Sequence, residues 1–185
     1  MRCLFSTVRL ASIIGVIMRV LFPCVLMICC VTLTFPQSGK PRPDFSDYPV
    51  QHIYTGKHAP PILSKEQRWF RTRIREGAEA DIQFAGHYTV PAWGCGSSCI
   101  AFVIVDSISG RVYDGSAISA LPDDWVEEYK PPSTAPVEFH PTSRLLKVNG
   151  CPSEHDCGLY DYVIVGGKGL KLIRKELLPQ KYQPE

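Results

Sequence analysis

Cys151 and Cys157 enclose Pro-Ser-Glu-His-Asp, so a disulfide between them would close a short loop that presents His155 beside Asp156. Imidazole and carboxylate together supply a hydrogen-bond donor and an acceptor at one point. A closed loop has already lost much of its conformational freedom, which favours insertion into a partner's cleft. Tyr160 and Tyr162 follow on the next extended run and would brace the loop from beneath. A second pair, Cys95 and Cys99, lies in Trp93-Gly-Cys-Gly-Ser-Ser-Cys99. Glycines flank Cys95, and only glycine takes positive φ without penalty, so a tight corner pinned by the two cysteines is expected. His87 and Tyr88 stand just before that corner. A histidine there could act as an acid or base, although no neighbour in the sequence orients it; a hydrogen-bonded structural histidine is the competing reading. His87, Tyr88 and Trp93 join His155, Asp156, Tyr160 and Tyr162 as candidate binding residues.

Eight cysteines occur in all: Cys3, Cys24, Cys29 and Cys30 near the N-terminus, and Cys95, Cys99, Cys151 and Cys157 in the body. Four body cysteines allow three pairings. Local pairing is favoured because each pair brackets a short turn, and each loop contributes about 2 kcal/mol by the chain-entropy model. A zinc site built from the four cysteines, or with His155 replacing one, is the alternative. Structural zinc knuckles use cysteines closer together than Cys151 and Cys157, and an exported chain favours the disulfide. No metal or other cofactor is expected, and no catalytic residue is assigned. A phosphate-cradling glycine loop, a metal-ligand helix and a Gly-x-Ser-x-Gly elbow are all absent from the sequence.

These residues follow an N-terminal segment, 1–38, that holds Arg2, Arg9 and Arg19, no acid, and two apolar runs, Leu10 to Met18 and Val20 to Phe35. That is targeting composition, a signal peptide or an uncleaved membrane anchor, and the run after Met18-Arg19 reads as a complete signal with Met18 as the start. Export to the periplasm or cell envelope follows, with membrane tethering if the segment is retained. Without those three arginines, 17 of the 20 basic residues remain against 18 acids, a net charge of −1. A chain with no basic bias is a poor match for nucleic acid. The partner is expected to be another protein or an envelope component.

Residues 39–62 are proline-rich and read as an extended lead-in lying across the surface rather than in the core. A single α+β domain is expected over 63–178. Ser64-Lys-Glu-Gln67 has the form of a capping box, and Leu63, Gln67, Phe70, Ile74 and Ala78 share one side of a helical wheel that ends at Gly77. Arg68, Arg71 and Arg75 form a neighbouring stripe that could hold an anion, but Glu66, Glu76 and Glu79 nearby fit a solvated face.

Residues 85–93 form a half-polar strand, and Ile100 to Val105, apolar on both faces, forms a central one covered above and below. Asp106 to Gly110 is a turn signal, and Arg111 to Tyr113 returns as a hairpin. Pro122 to Pro141 reads as a long loop containing a short acidic helical turn, with Trp125 as a local anchor. Ser143 to Val148 and Leu159 to Val165 make a hairpin tipped by the second cysteine loop. Gly166 to Gly169 then turns into a basic strand, Leu170 to Lys175, suited to an edge. The whole reads as a mostly antiparallel sheet of five or six strands with one N-terminal amphipathic helix packed on it.

Cys95-Gly-Ser-Ser-Cys99-Ile-Ala-Phe102 looks like the nucleophile segment of papain-like cysteine proteases. It departs from that pattern by an extra serine and a following strand instead of a helix. Only 86 residues remain after Cys99, where that family places its histidine and asparagine about 130 or more residues downstream.

Phe84-Ala-Gly-His-Tyr88, Trp93-Gly-Cys-Gly-Ser-Ser-Cys99, the Asp106 to Tyr113 turn and the Tyr160 to Ile173 end resemble a family of small exported bacterial proteins. The resemblance covers residues 48 to 175 and implies export and a single domain; it supplies no mechanism. Locally, Cys151-Pro-Ser-Glu-His-Asp-Cys-Gly158 is similar to the disulfide loop of periplasmic inhibitors of vertebrate-type lysozyme, which insert a loop histidine into the enzyme's cleft. Five residues lie between the cysteines here, where those inhibitors have four. The function expected is therefore an exported binding module, an inhibitor of a cell-wall hydrolase acting through the Cys151–Cys157 loop. The alternative is a small periplasmic enzyme using His87 as acid or base.

Overall fold

The computed structural model describes residues 41–184. The segment 1–38 expected to be a targeting sequence, the expected start at Met18 and the four N-terminal cysteines lie outside those residues. Arg42–Glu185 forms one compact unit. Among the described residues no helix is long and apolar enough to cross a membrane.

The protein is a mixed fold dominated by antiparallel pairing. Eight strands form one sheet: β1 (Tyr88–Thr89), β2 (Ala92–Gly96), β3 (Cys99–Asp106), β4 (Val112–Ser119), β5 (Val137–Phe139), β6 (Leu145–Pro152), β7 (Gly158–Val165) and β8 (Gly169–Leu177), with the path running β1-β3-β4-β6-β7-β8 and β2 and β5 pairing beside it. β1 and β2 share one edge of β3, and β4 pairs with the other. β5 and the end of β4 share one edge of β6, followed by β7 and β8. The strand count exceeds the expected five or six. The half-polar run is interrupted at Pro91 and pairs in two pieces, and the three residues of β5 fill a free stretch of β6 edge from inside the proline-rich loop.

The path folds over on itself where β4 meets β6. The β3–β4 register shifts between Ala101 and Val103, where β4 carries one extra residue, a feature that bends and twists a strand. Gly150 lies at the crossing, where a Cβ would come 2.3 Å from the Ser119 carbonyl oxygen. Side chains of both halves meet in the main core: Phe102, Ile104 and Ile118 with Leu146, Val148, Tyr160 and Ile164.

β3 has the two covered faces its composition implies. Phe102 and Ile104 point into the main core, while Val103 and Val105 meet Ile74 and Ala78 of helix α1 (Arg71–Ala78) on the outside. The capping box forms one turn earlier, at a 3₁₀ turn over Gln67–Phe70. The Gln67 amide donates to Ser64 Oγ at 3.2 Å, and the Ser64 amide donates to Gln67 Oε1 at 3.0 Å. Phe70 stays half-exposed and stacks on Trp93, with ring centroids 4.9 Å apart.

The lead-in is fastened more deeply than its prolines suggest. Val50 packs against the main core, and the amides of Val50, Tyr54, Ala59 and Ile62 donate to the carbonyls of Thr142, Gly86, Ser107 and Gly110. Prolines remove donors only at their own positions, so the remaining amides dock the segment. Gly86, at φ +81°, lets the Tyr54 contact form, since a Cβ would meet the His52 carbonyl oxygen at 2.4 Å.

The first cysteine corner is a β2–β3 hairpin with Gly96 opposite Cys99 and a disulfide between Cys95 and Cys99. Left-handed backbone occurs at Gly96 and Ser98; Gly94 does not need it, contrary to expectation.

Candidate functional site

The Cys151–Cys157 loop caps the β6–β7 hairpin, and its geometry follows from its residues one at a time. Cys151 and Cys157 form a disulfide whose sulfurs are buried with Leu121, Trp125, Leu178 and Tyr182. Trp125 belongs to helix α2 (Asp123–Tyr129) and is the local anchor its surroundings implied, since it is 7% exposed. With all four body cysteines in disulfides, a zinc site has no thiolates to build on. Among the described residues no cluster of His, Cys, Asp and Glu is placed to hold a metal ion.

Inside the loop the His155 amide donates to the Pro152 carbonyl at 3.1 Å, closing a turn whose central residues, Ser153 and Glu154, have φ of 54° and 62°. Two consecutive left-handed non-glycine residues define a type I′ turn and cost free energy that the surroundings must offset. Several contacts do so. The Ser153 amide donates to the Ala117 carbonyl of β4 at 2.8 Å. The Tyr160 hydroxyl donates to the Asp156 carbonyl from below. Lys175 Nζ on β8 lies 2.6 Å from Asp156 Oδ2. The C-terminal segment contributes Gln183, which accepts from the Cys157 amide at 2.7 Å and donates to the Cys157 carbonyl at 3.0 Å.

The electrostatics agree with this bracing. The Lys175 ammonium holds the Asp156 carboxyl below its ordinary value. Burial, with Asp156 nearby, pushes the Tyr160 hydroxyl up to about 12, so it is a permanent donor at neutral pH. Glu128 of α2 is held down by Tyr182 and Lys181, which strap the C-terminal turn to the helix. Asp123, Asp124 and Glu127 remain exposed on α2, giving the loop an acidic neighbour. A cleft of about 380 Å³ runs between loop and helix, lined by Asp124, Glu154, Lys181 and Gln183 among others.

Four candidate residues therefore meet here. His155 is exposed at the tip, Asp156 ties the loop to β8, and Tyr160 lies beneath with Tyr162 stacked beside it, ring centroids 6.5 Å apart. The other three stand elsewhere. Tyr88 is 3% exposed in the main core, and its hydroxyl is raised to about 12 by burial and by Asp106. His87 is half-buried with its ring 4.1 Å from that of Tyr88, and among the described residues no carboxylate bonds to it. Trp93 pairs across from Ala101 and stacks on Phe70.

Lys175 and Gln183 escaped the sequence reading. Lys175 is opposite Tyr160 in the β7–β8 register, a relationship that exists only once the strands are paired.

The chain matches no family model, no curated protein and no solved structure.

Proposed function

We propose that the protein is an exported binding module that recognises another protein of the cell envelope through the Cys151–Cys157 loop, with His155 as the inserted group and a cell-wall hydrolase as the partner class. The observation that carries this reading is the order built into the loop before any partner arrives. A disulfide, a Tyr160 hydroxyl on one carbonyl, a Lys175 ion pair and a Gln183 clamp hold the backbone around one exposed imidazole. A loop fixed in advance loses little entropy when it enters a cleft.

A glycosidase cleft offers paired carboxylates, one ionised and one protonated near neutral pH, which an imidazole N–H can meet as a sugar hydroxyl would. The exposed acids of α2 beside the loop favour a basic partner through local rather than long-range attraction, because the net charge without the targeting segment is only −1. The two disulfides are compatible with an oxidising, extracytoplasmic compartment.

The test is the clearing of a cell-wall suspension by vertebrate-type lysozyme in the presence of the purified domain. Inhibition at about micromolar domain, lost in His155→Ala, is expected. His155 is exposed, so this variant leaves the fold intact. No inhibition, or equal inhibition by the variant, removes the loop as the recognition element.

A further inference from the structure

The outer face of the other half of the fold carries a group of residues that the loop does not use. Trp69 is 86% exposed next to half-exposed Phe70, an aromatic pair at the surface four positions before Arg73. Together with Thr72, Arg73, Trp93 and Gly94 they line a concave cleft of about 450 Å³ beside the Cys95–Cys99 hairpin. Phe70 and Trp93 stack on each other with planes 23° apart, which fixes one wall. Trp93 is held in turn by the apolar contacts beneath α1. Among the described residues the Trp69 indole stacks on no other ring.

Arg73 is the one charged residue in the lining of this cleft. Arg68, Arg71, Arg73 and Arg75 are all exposed, and among the described residues none has a carboxylate within 4.0 Å. Glu66, Glu76 and Glu79 share the segment but pair with none of them. The Glu66 carboxyl is instead held by its own backbone and by Ser64.

We infer that this cleft binds an acidic saccharide, with the sugar's C–H face against Trp69 and its carboxylate on the Arg73 guanidinium. A flat, weakly hydrated aromatic face beside a planar fork of donors matches a ligand that is apolar on one side and carries a carboxylate at its rim. Thr72 adds a hydroxyl for a ring oxygen or hydroxyl group. Phe70 and Trp93 are engaged with each other, which leaves Trp69 as the unstacked ring for a ligand, and a lipid surface is tested as a separate outcome below. The cleft shares no lining residue with the one beside the Cys151–Cys157 loop and stands or falls independently of it.

The experiment is a fluorescence titration of the purified domain with tetragalacturonate, its fully methyl-esterified form, and anionic phosphatidylglycerol vesicles. Of the three tryptophans, Trp69 and Trp93 border the cleft and Trp125 is buried beneath the Cys151–Cys157 loop, so a saturable change that Arg73→Gln weakens reports on this site. Saturable binding of the acid form with Kd of about millimolar or tighter is expected, weakened about tenfold by esterification, by Trp69→Ala and by Arg73→Gln. Both side chains are exposed, so neither change threatens the fold, and an unchanged circular dichroism spectrum verifies it. No saturable change up to about 5 mM, equal binding of the ester, or binding to the vesicles alone overturns the assignment.

Discussion

Arg42 Nε lies 2.8 Å from Asp161 Oδ1, and the Asp161 side chain has no exposure to solvent. A carboxylate in the middle of β7 is thus neutralised by an arginine from the extended lead-in, with Arg174 Nη1 of β8 at 3.5 Å on its other oxygen. The same guanidinium donates at 2.8 Å to Asn149 of β6, itself 1% exposed. One side chain from the start of the described chain therefore ties two strands of the sheet.

Arg42→Met should lower the unfolding free energy by about 2–4 kcal/mol, because removing one partner leaves a buried charge poorly compensated. Arg174 softens the loss. Urea denaturation measures it, and the double variant Arg42→Met with Asp161→Leu should recover part of the loss. A single-variant effect below about 0.5 kcal/mol would show that Arg174 suffices alone.

Replacing both Cys151 and Cys157 by alanine should destabilise more than the same change at Cys95 and Cys99. Chain entropy alone gives about 2 kcal/mol for either loop. Only the first pair has sulfurs packed with Trp125 and Leu178, so packing is lost as well. Peptide mapping without reduction should recover both local pairs; free thiols at all four positions would contradict the bonding described.

Both ends of the pH scale should loosen the loop, each through a different group. The folded-state carboxyl of Asp156 is depressed by Lys175, so its contribution is present above its ordinary value of 3.8 and lost as pH falls through the depressed one. Lys175→Met should return that titration to the ordinary range, read from the side-chain resonance of Asp156. Tyr160 and Tyr88 are raised from 10.0 to about 12, so stability is unchanged up to about pH 10 and declines from there to about 12. Absorbance at alkaline pH should show these two phenols ionising after the exposed ones.

Export is checked by a reporter active only outside the cytoplasm, fused after Gly39. Activity is expected, and mass spectrometry of envelope protein should show residues 1–30 removed if the segment is a signal peptide. An intact N-terminus with an active reporter would identify it as the anchor.

Much of the architecture was legible in local pattern. The double-faced apolar run of β3, the capping box at Ser64, the Asp106 turn and the β6–β7 hairpin all depend on residues within one or two turns of each other, where type and spacing act directly. The pairing of each close cysteine pair was legible for the same reason. What the sequence could not decide is which distant groups meet. Asp161 reads as one more polar residue in an alternating strand until folding places Arg42 and Arg174 on it. Lys175 reads as a solvated edge until β7–β8 register sets it against Asp156 and Tyr160. Trp69 and Trp93, 24 positions apart, share a cleft only because α1 lies across the outer face of β3. Periodicity fixes which face a side chain occupies, whereas register and layer packing, set by the sum of many long-range contacts, fix what it meets there.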